Sequence, residues 1–487
     1  MPQPNVLLIH ADQHRWDCIG ACGNPDLRTP NLDALAADGV NYHNSFTCYP
    51  ICTPSRYSML SGLYVHQHLG WGNHCTLPRG LPTFPKVLRE AGYATKAIGK
   101  MHFTPTYLDV GFDEMELAEQ DGPGRWDDDY HRYLRDHGLA DALDLIDQRR
   151  EYRERAPEEY WQTFGAMESD LPEEHHSTTW IGDRAVESLR GWDPDGPNLL
   201  MAGFIKPHHP HDPPASWSRM YDPEELSLLP GWTEEVPARD LERSRGYFPN
   251  EKLTGTSMRR IMAMYYANVS HIDQQVGRMI QVLKDRGRYE NTMIIYTSDH
   301  GDYLGYHHMA LKGNALYEGT MRVPLIIKYP GDGGGGKDSE ALVNNVDLAP
   351  TILGQTGCEC PEQMAGLDLG QQPEGHEVIF AENGGVEYAA RTRDRKLLCG
   401  NPEVRSQFFD LGNDPCELQN LYEDSDRQEE IQQLRERLIA WRLFQSRTPT
   451  HLDASAPIIP QPNARRAGDG HRDAIAAYYR NQAMPEN

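Results

Sequence analysis

Short apolar runs rich in β-branched residues alternate along the chain with segments of helical periodicity. Residues 6–9, 95–98, 199–204, 293–297, 325–328 and 378–381 have strand length and near-continuous hydrophobicity, the pattern of strands buried on both faces. Between them, residues 31–38, 55–60, 83–91, 179–189, 259–285 and 348–356 carry apolar positions at helical spacing. Strands separated by helices predict an α/β fold with a large mixed, mostly parallel sheet sandwiched by helices. Ligands of such sheets bind beyond the carboxyl ends of the strands.

The pattern changes near residue 365. Residues 377–398 alternate as in antiparallel strands, and 426–441 form an amphipathic helix with charged pairs at helical spacing. This predicts a catalytic domain over 1–365 and a smaller C-terminal α/β subdomain, with a short antiparallel sheet and a tail, over 366–487. The segment 103–175 reads as an excursion over the site, because 115–175 is rich in Asp, Glu, Arg and Tyr and poor in apolar periodicity. The glycine run at 331–336 lacks the strand, helix and lysine of a phosphate-binding loop and reads as a solvent turn. The tail from about 445 is rich in Pro, Arg and Asp, with a helix-like stretch at 475–480.

Composition narrows the function. The 487 residues carry a net charge of −25, which argues against a nucleic-acid binder or adhesion to an anionic membrane. An anionic substrate is still allowed, since the field inside a cleft can oppose the net charge. No apolar run reaches the roughly 18 residues of a membrane span. The first residues show no basic segment followed by an apolar one, and the nine cysteines show no metal-type spacing. A reduced cytoplasmic setting is therefore expected. A homo-oligomer is compatible with the sequence.

Two polar pairs end neighbouring strands: Asp12-Gln13 and Asp299-His300. Each alone suits a turn or cap. Together they offer two carboxylates, an amide oxygen and an imidazole, a set able to hold a divalent cation. Cys52-Thr53-Pro54-Ser55-Arg56 follows, and then Leu60-Ser61-Gly62. Pro54 and Ser55 suit a helix start, with Ser55 as cap or first-turn residue, which would put residue 52 beside a helix N-terminus.

This eleven-residue pattern resembles the signature of the type I sulfatases of the alkaline phosphatase superfamily. Gly99-Lys100-Met101-His102, Lys206-Pro207-His208-His209-Pro210, Thr297-Ser298-Asp299-His300-Gly301 and the Leu304–Lys312 spacing extend the resemblance over about residues 5–425. It implies that Cys52 is oxidised to Cα-formylglycine by a formylglycine-generating enzyme. One hydroxyl of the hydrated aldehyde would then be the nucleophile, and collapse back to the aldehyde would expel sulfate. It further implies a metal held by Asp12, Gln13, Asp299, His300 and residue 52. Arg56 would pin the hydrate or a metal-bound carboxylate. Lys312 and His208 would face the bridging oxygen, without an assignment of acid and base between them. His102, supported by Lys100, would take the second proton during sulfate expulsion.

Many members carry Asp-Asp and Asp-Asn where this chain has Asp12-Gln13 and Asp299-His300. The resemblance implies Ca2+, and because an imidazole is a poorer ligand for calcium than a carboxylate, Mn2+ or Mg2+ are alternatives. The same set resembles the phosphonate monoester hydrolases, a sister group that lacks the Gly-Lys-x-His phrase. The expected reaction is hydrolysis of an organic sulfate monoester. A sulfated sugar is the first expectation, choline sulfate or an aryl sulfate the next. A phosphonate or phosphodiester hydrolase and a catalytically inactive binding protein are the alternatives. Asp127 to Arg132 in the excursion could bind sugar hydroxyls or a cation, or serve as a helix cap.

Overall fold

The computed structural model describes residues 3–446, apart from 79, 121–126, 238, 241–247, 314 and 332–334. The expected tail from 447, the stretch 475–480 and the middle of the glycine run lie outside the described residues. An eight-stranded sheet has the order β4-β3-β5-β1-β6-β7-β2-β8. Its strands are β1 (Asn5–Asp12), β2 (Val40–Phe46), β3 (Ala94–Gly99), β4 (Glu114–Leu117), β5 (Asn198–Pro207), β6 (Thr292–Ser298), β7 (Leu325–Lys328) and β8 (Lys337–Asn344). The first five strands of that order are mutually parallel, and β7 runs antiparallel to both β6 and β2. The sheet is thus mixed and mostly parallel, as expected.

The six expected strands and six expected helices are all present. The helices are α1 (Pro30–Asp38), α2 (Cys52–Ser61), α3 (Phe84–Glu90), α6 (Ser177–Arg190), α7 (Gly255–Asp285) and α8 (Leu348–Thr356). The excursion adds α4 (Asp129–Asp136) and α5 (Ala142–Gln148). Strand periodicity explains the two-sided burial. Val6 and Leu8 of β1 pack with α2, α3 and α8, whereas Leu7 and Ile9 pack with α1, α6 and α7. Burying both faces leaves the ends of the sheet as its polar regions. At its carboxyl edge Asp12 ends β1, and Lys100, His208 and Asp299 follow the neighbouring strands β3, β5 and β6.

A second sheet has four antiparallel strands, β9 (Ile379–Asn383), β10 (Glu387–Arg391), β11 (Arg395–Gly400) and β12 (Gln407–Asp410). Helix α9 (Gln428–Ala440) covers it, with Ile431, Leu434 and Leu438 packed against Phe380, Leu397 and Phe408. Among the described residues, no helix is long and apolar enough to cross a membrane.

Candidate active site

Helix α2 begins at Cys52, and all ten of its residues are buried. Of the two expectations for Ser55, the first-turn position holds and the cap does not. Ile51 holds the N-cap position without a side-chain hydrogen bond, and Ser55 lies inside the helix. Its hydroxyl donates to the Asp299 carbonyl at 2.5 Å and accepts from Asn345 Nδ2 at 2.9 Å. Ser55 therefore ties the helix to the β6 turn. The expectation that residue 52 sits at the helix N-terminus agrees with the structure.

Cys52 Sγ lies 2.9 Å from Lys312 Nζ, 3.2 Å from His300 Nε2 and 3.7 Å from Asp12 Oδ1. Burial and Asp12 push its thiol up, but Lys312, His300 and Lys100 outweigh them and bring it down to about 6. One turn along, Arg56 is fully buried between two carboxylates. Its Nη2 donates to Asp12 Oδ2 at 2.9 Å and its Nε to Asp299 Oδ2 at 2.8 Å, while Nη1 donates to the Lys100 carbonyl. Arg56 thus pins the carboxylates. Lys100 Nζ adds a contact of 2.6 Å to Asp12 Oδ2. Burial would raise the Asp12 carboxyl, yet the Lys100 ammonium and the Arg56 guanidinium hold it well below its ordinary range.

Among the described residues, Asp12, Cys52, Asp299 and His300 offer ligand atoms that all lie within 4.8 Å of one another. His300 Nδ1 donates to the Gly301 carbonyl at 2.9 Å, which turns Nε2 toward Cys52 and Lys312 as the ring nitrogen that would face a cation. Gln13 adopts φ 65° and donates its backbone N–H to Asp299 Oδ1 at 3.1 Å. Its Nε2 donates to Asp302, whereas its buried Oε1 has no hydrogen-bond partner among the described residues. An orphaned amide oxygen, two carboxylates and an imidazole nitrogen fit a divalent cation.

Lys312 ends a loop in which Leu304, His307, His308 and Leu311 have φ between 38° and 65°. Such left-handed positions cost energy and need support. Tyr306 Oη donates to Glu417 Oε2 at 3.0 Å, His307 Nε2 lies 2.9 Å from the Cys416 carbonyl, and His308 Nδ1 lies 2.6 Å from the Thr233 carbonyl. His307 thus shapes the loop. Lys312 Nζ lies 3.0 Å from both His208 Nε2 and His300 Nε2.

His208 Nδ1 lies 2.7 Å from the His209 carbonyl, which accepts from it. That fixes Nε2 as the acceptor facing Lys312. Burial, then His209 and Lys312, lower the His208 imidazole well below its ordinary range. The His209 ring lies 4.0 Å from that of His208 and bonds through Nδ1 to Asp147 Oδ2 at 2.5 Å. His102 has φ 56°, and its carbonyl accepts from Thr53 Oγ1 at 2.8 Å. This contact places the Lys100–His102 turn beside the start of α2.

Cys52, Arg56, Lys100, His208, Lys312, Asp12, Gln13, Asp299 and His300 are therefore joined by direct contacts, and His102 through its backbone. The excursion supplies residues the sequence reading missed. Glu119 accepts the backbone N–H groups of Met101 and His102 at 3.0 and 2.9 Å. Gln120 accepts from Lys100 Nζ at 2.8 Å. No local motif marks either residue, since both follow the short edge strand β4. The acidic run is used internally: Asp128 caps α4 by accepting from the His131 N–H, and Asp129 pairs with Arg132 at 2.7 Å.

The sheet order and the cluster at its carboxyl edge make a mostly parallel α/β fold with a candidate cation and nucleophile site beyond its strand ends. A model of the sulfatase family matches residues 4–358, and one of the N-sulphoglucosamine sulphohydrolase C-terminal region matches 307–443. The chain belongs to the sulfatase family and is a sulfuric ester hydrolase. It is 32% identical over 467 residues to an arylsulfatase of Clostridium perfringens, covering 90% of this chain and 94% of the relative. It is 27% identical to an N-acetylglucosamine-6-O-sulfatase of Bacteroides thetaiotaomicron, covering 89% and 86%. The phosphonate monoester hydrolase of Agrobacterium radiobacter superposes with a TM-score of 0.76 over 90% of this chain and 95% of that one. At 24% identity this last likeness shows the fold alone.

Proposed function

We propose that the chain hydrolyses an organic sulfate monoester, a sulfated sugar first among the candidates, to the alcohol and inorganic sulfate. The observation that carries this reading is Lys312, whose ammonium touches both Cys52 and His208. In this reading Cys52 is converted to formylglycine by a formylglycine-generating enzyme, and the hydrated aldehyde offers the nucleophilic hydroxyl. Asp12, Gln13, Asp299 and His300 hold one divalent metal, calcium first and manganese or magnesium next. Bound there, the cation orients the sulfate and screens its charge.

The chain's own residues supply the rest. Arg56 holds both carboxylates aligned. His208 is neutral with its proton on Nδ1, so the proton between Nε2 and Lys312 Nζ belongs to the lysine. Lys312 is therefore the donor toward the leaving alcohol oxygen, with His208 orienting it. His102 takes the second hydroxyl proton as sulfate departs, and Lys100 stabilises the anion. Residues 1–365 form the catalytic unit in this account and 366–487 a smaller unit. The four-stranded sheet, which begins after residue 378, supports that division.

The likeness to an N-acetylglucosamine-6-O-sulfatase supports a saccharide ester. A desulfation screen over sulfated saccharides, choline sulfate and aryl sulfates, read by release of inorganic sulfate, tests the reading. Fastest release from a saccharide ester is expected. No release from any ester by protein whose residue 52 carries the aldehyde would overturn it. The Gln13 and His300 ligand set favours a second reading, a phosphonate ester hydrolase, and aryl phosphonates belong in the same screen.

A further inference from the structure

We propose that Gln120 is a positioning residue that couples Lys100 to His208. The inference rests on the assignment of those two residues to the sulfate-transfer site. Gln120 is fully buried just after β4, and both ends of its amide are in use. Oε1 accepts from Lys100 Nζ at 2.8 Å. Nε2 donates to Asp144 Oδ1 at 2.6 Å and to the His209 carbonyl at 3.2 Å. A flipped amide would aim its NH2 group at an ammonium and its oxygen at a carboxylate, so the orientation is fixed by its neighbours.

The His209 carbonyl is the same atom that takes the His208 Nδ1 proton. One side chain thus holds the ammonium of Lys100 and the acceptor that sets the His208 tautomer. Lys100 Nζ is shared between Gln120 and Asp12 Oδ2. Without the amide, the ammonium would be drawn further onto a carboxylate proposed to bind the metal. His208 would lose one of the groups that fix its carbonyl partner. Gln120 comes from the excursion, so that segment builds the catalytic centre as well as covering it.

The test is a set of double-mutant cycles with 4-nitrophenyl sulfate as probe. Gln120→Leu should lower kcat about tenfold, the scale of a hydrogen bond to a charged group. Its effect on KM should be smaller. In each of the Lys100→Ala and His208→Ala backgrounds the same substitution should cost less than in the wild type, about threefold, because one of the two partners it positions is gone. A loss in both backgrounds as large as in the wild type, or no loss in the wild type, would overturn the coupling. Gln120→Met keeps the length without the hydrogen bonds and serves if the leucine variant does not fold. A crystal structure of either variant gives a readout independent of turnover. Lys100 and His208 should have moved, and unchanged positions for both would sink the proposal. If Lys100→Ala and His208→Ala alone turn over like the wild type, the functional assignment fails instead.

Discussion

Lys312 Nζ and Cys52 Sγ lie 2.9 Å apart although 260 positions separate them in the chain. The loop holding Lys312 carries four non-glycine residues in left-handed conformations, and it is anchored through Tyr306 and His307 to Glu417 and Cys416. A costly loop conformation that ends in a charged contact to the proposed nucleophile position is hard to explain by stability alone.

Lys312→Ala should slow turnover by roughly 10²–10⁴ for esters of poor leaving groups, the usual range for lost general acid catalysis. The loss should be least for nitrophenyl esters, whose oxygen leaves with little help. A plot of rate against leaving-group acidity should therefore steepen in the variant. An equal loss across all leaving groups would assign Lys312 to binding.

Arg56→Ala should be strongly destabilising, because it leaves Asp12 and Asp299 facing each other in a buried site. The expected cost is about 3–5 kcal/mol, that of removing one partner from a buried ionic group. Denaturant unfolding should show a larger loss in chelator-treated protein, where no cation screens the pair. Arg56→Lys should recover little, because one ammonium cannot bridge two carboxylates and a carbonyl as the guanidinium fork does.

Asp299→Ala should lower bound metal, measured by elemental analysis on desalted protein, together with turnover. Chelation of the wild type should mimic the variant, and added metal should restore only the wild type. Normal metal content in the variant would make Asp299 a turn residue.

Glu119 gives a pH signature. Burial raises its carboxyl to about 8, although the backbone N–H groups of His102 and Met101 and the charge of Lys100 act against this. Between about pH 4.5 and 8 the folded state keeps a proton that the unfolded chain has released. Stability from this group is then greatest at low pH and falls as pH rises through that window, by up to about 1.4 kcal/mol per pH unit. Glu119→Gln keeps an acceptor for both N–H groups and removes the titration. Its unfolding free energy should fall less than that of the wild type between pH 5 and 8. Parallel profiles would exclude the raised carboxyl.

The strands legible in the sequence were those buried on both faces, where near-continuous hydrophobicity leaves a local mark. β2 was missed because Val40–Phe46 mixes asparagine and histidine with its apolar residues, and β8 because its first half is an exposed edge. The charged stretch at 115–175 hid α4 and α5, whose residues turn inward to support the site. The candidate site residues stand in recognisable phrases at strand ends, at the start of α2 and in the loop ending at Lys312. Their supports, Glu119, Gln120, Asp147 and Asp302, do not. Each is defined by a partner distant in sequence or by burial, and neither leaves a spacing to read. Ser55 lies in the first turn of α2, one of its two expected places, but does not cap it. A serine after proline suits a cap, but here its hydroxyl is taken by tertiary contacts to Asp299 and Asn345.

The central claim is that this site transfers a sulfuryl group from oxygen. The most direct measurement compares kcat/KM for 4-nitrophenyl sulfate and 4-nitrophenyl methylphosphonate on one preparation, with the mass of the peptide bearing residue 52 determined alongside. The account predicts that the peptide carries an aldehyde in place of the thiol. It also predicts that the sulfate ester is the better substrate and that Cys52→Ala abolishes its cleavage. Faster phosphonate cleavage, or full sulfatase activity in Cys52→Ala, would contradict it.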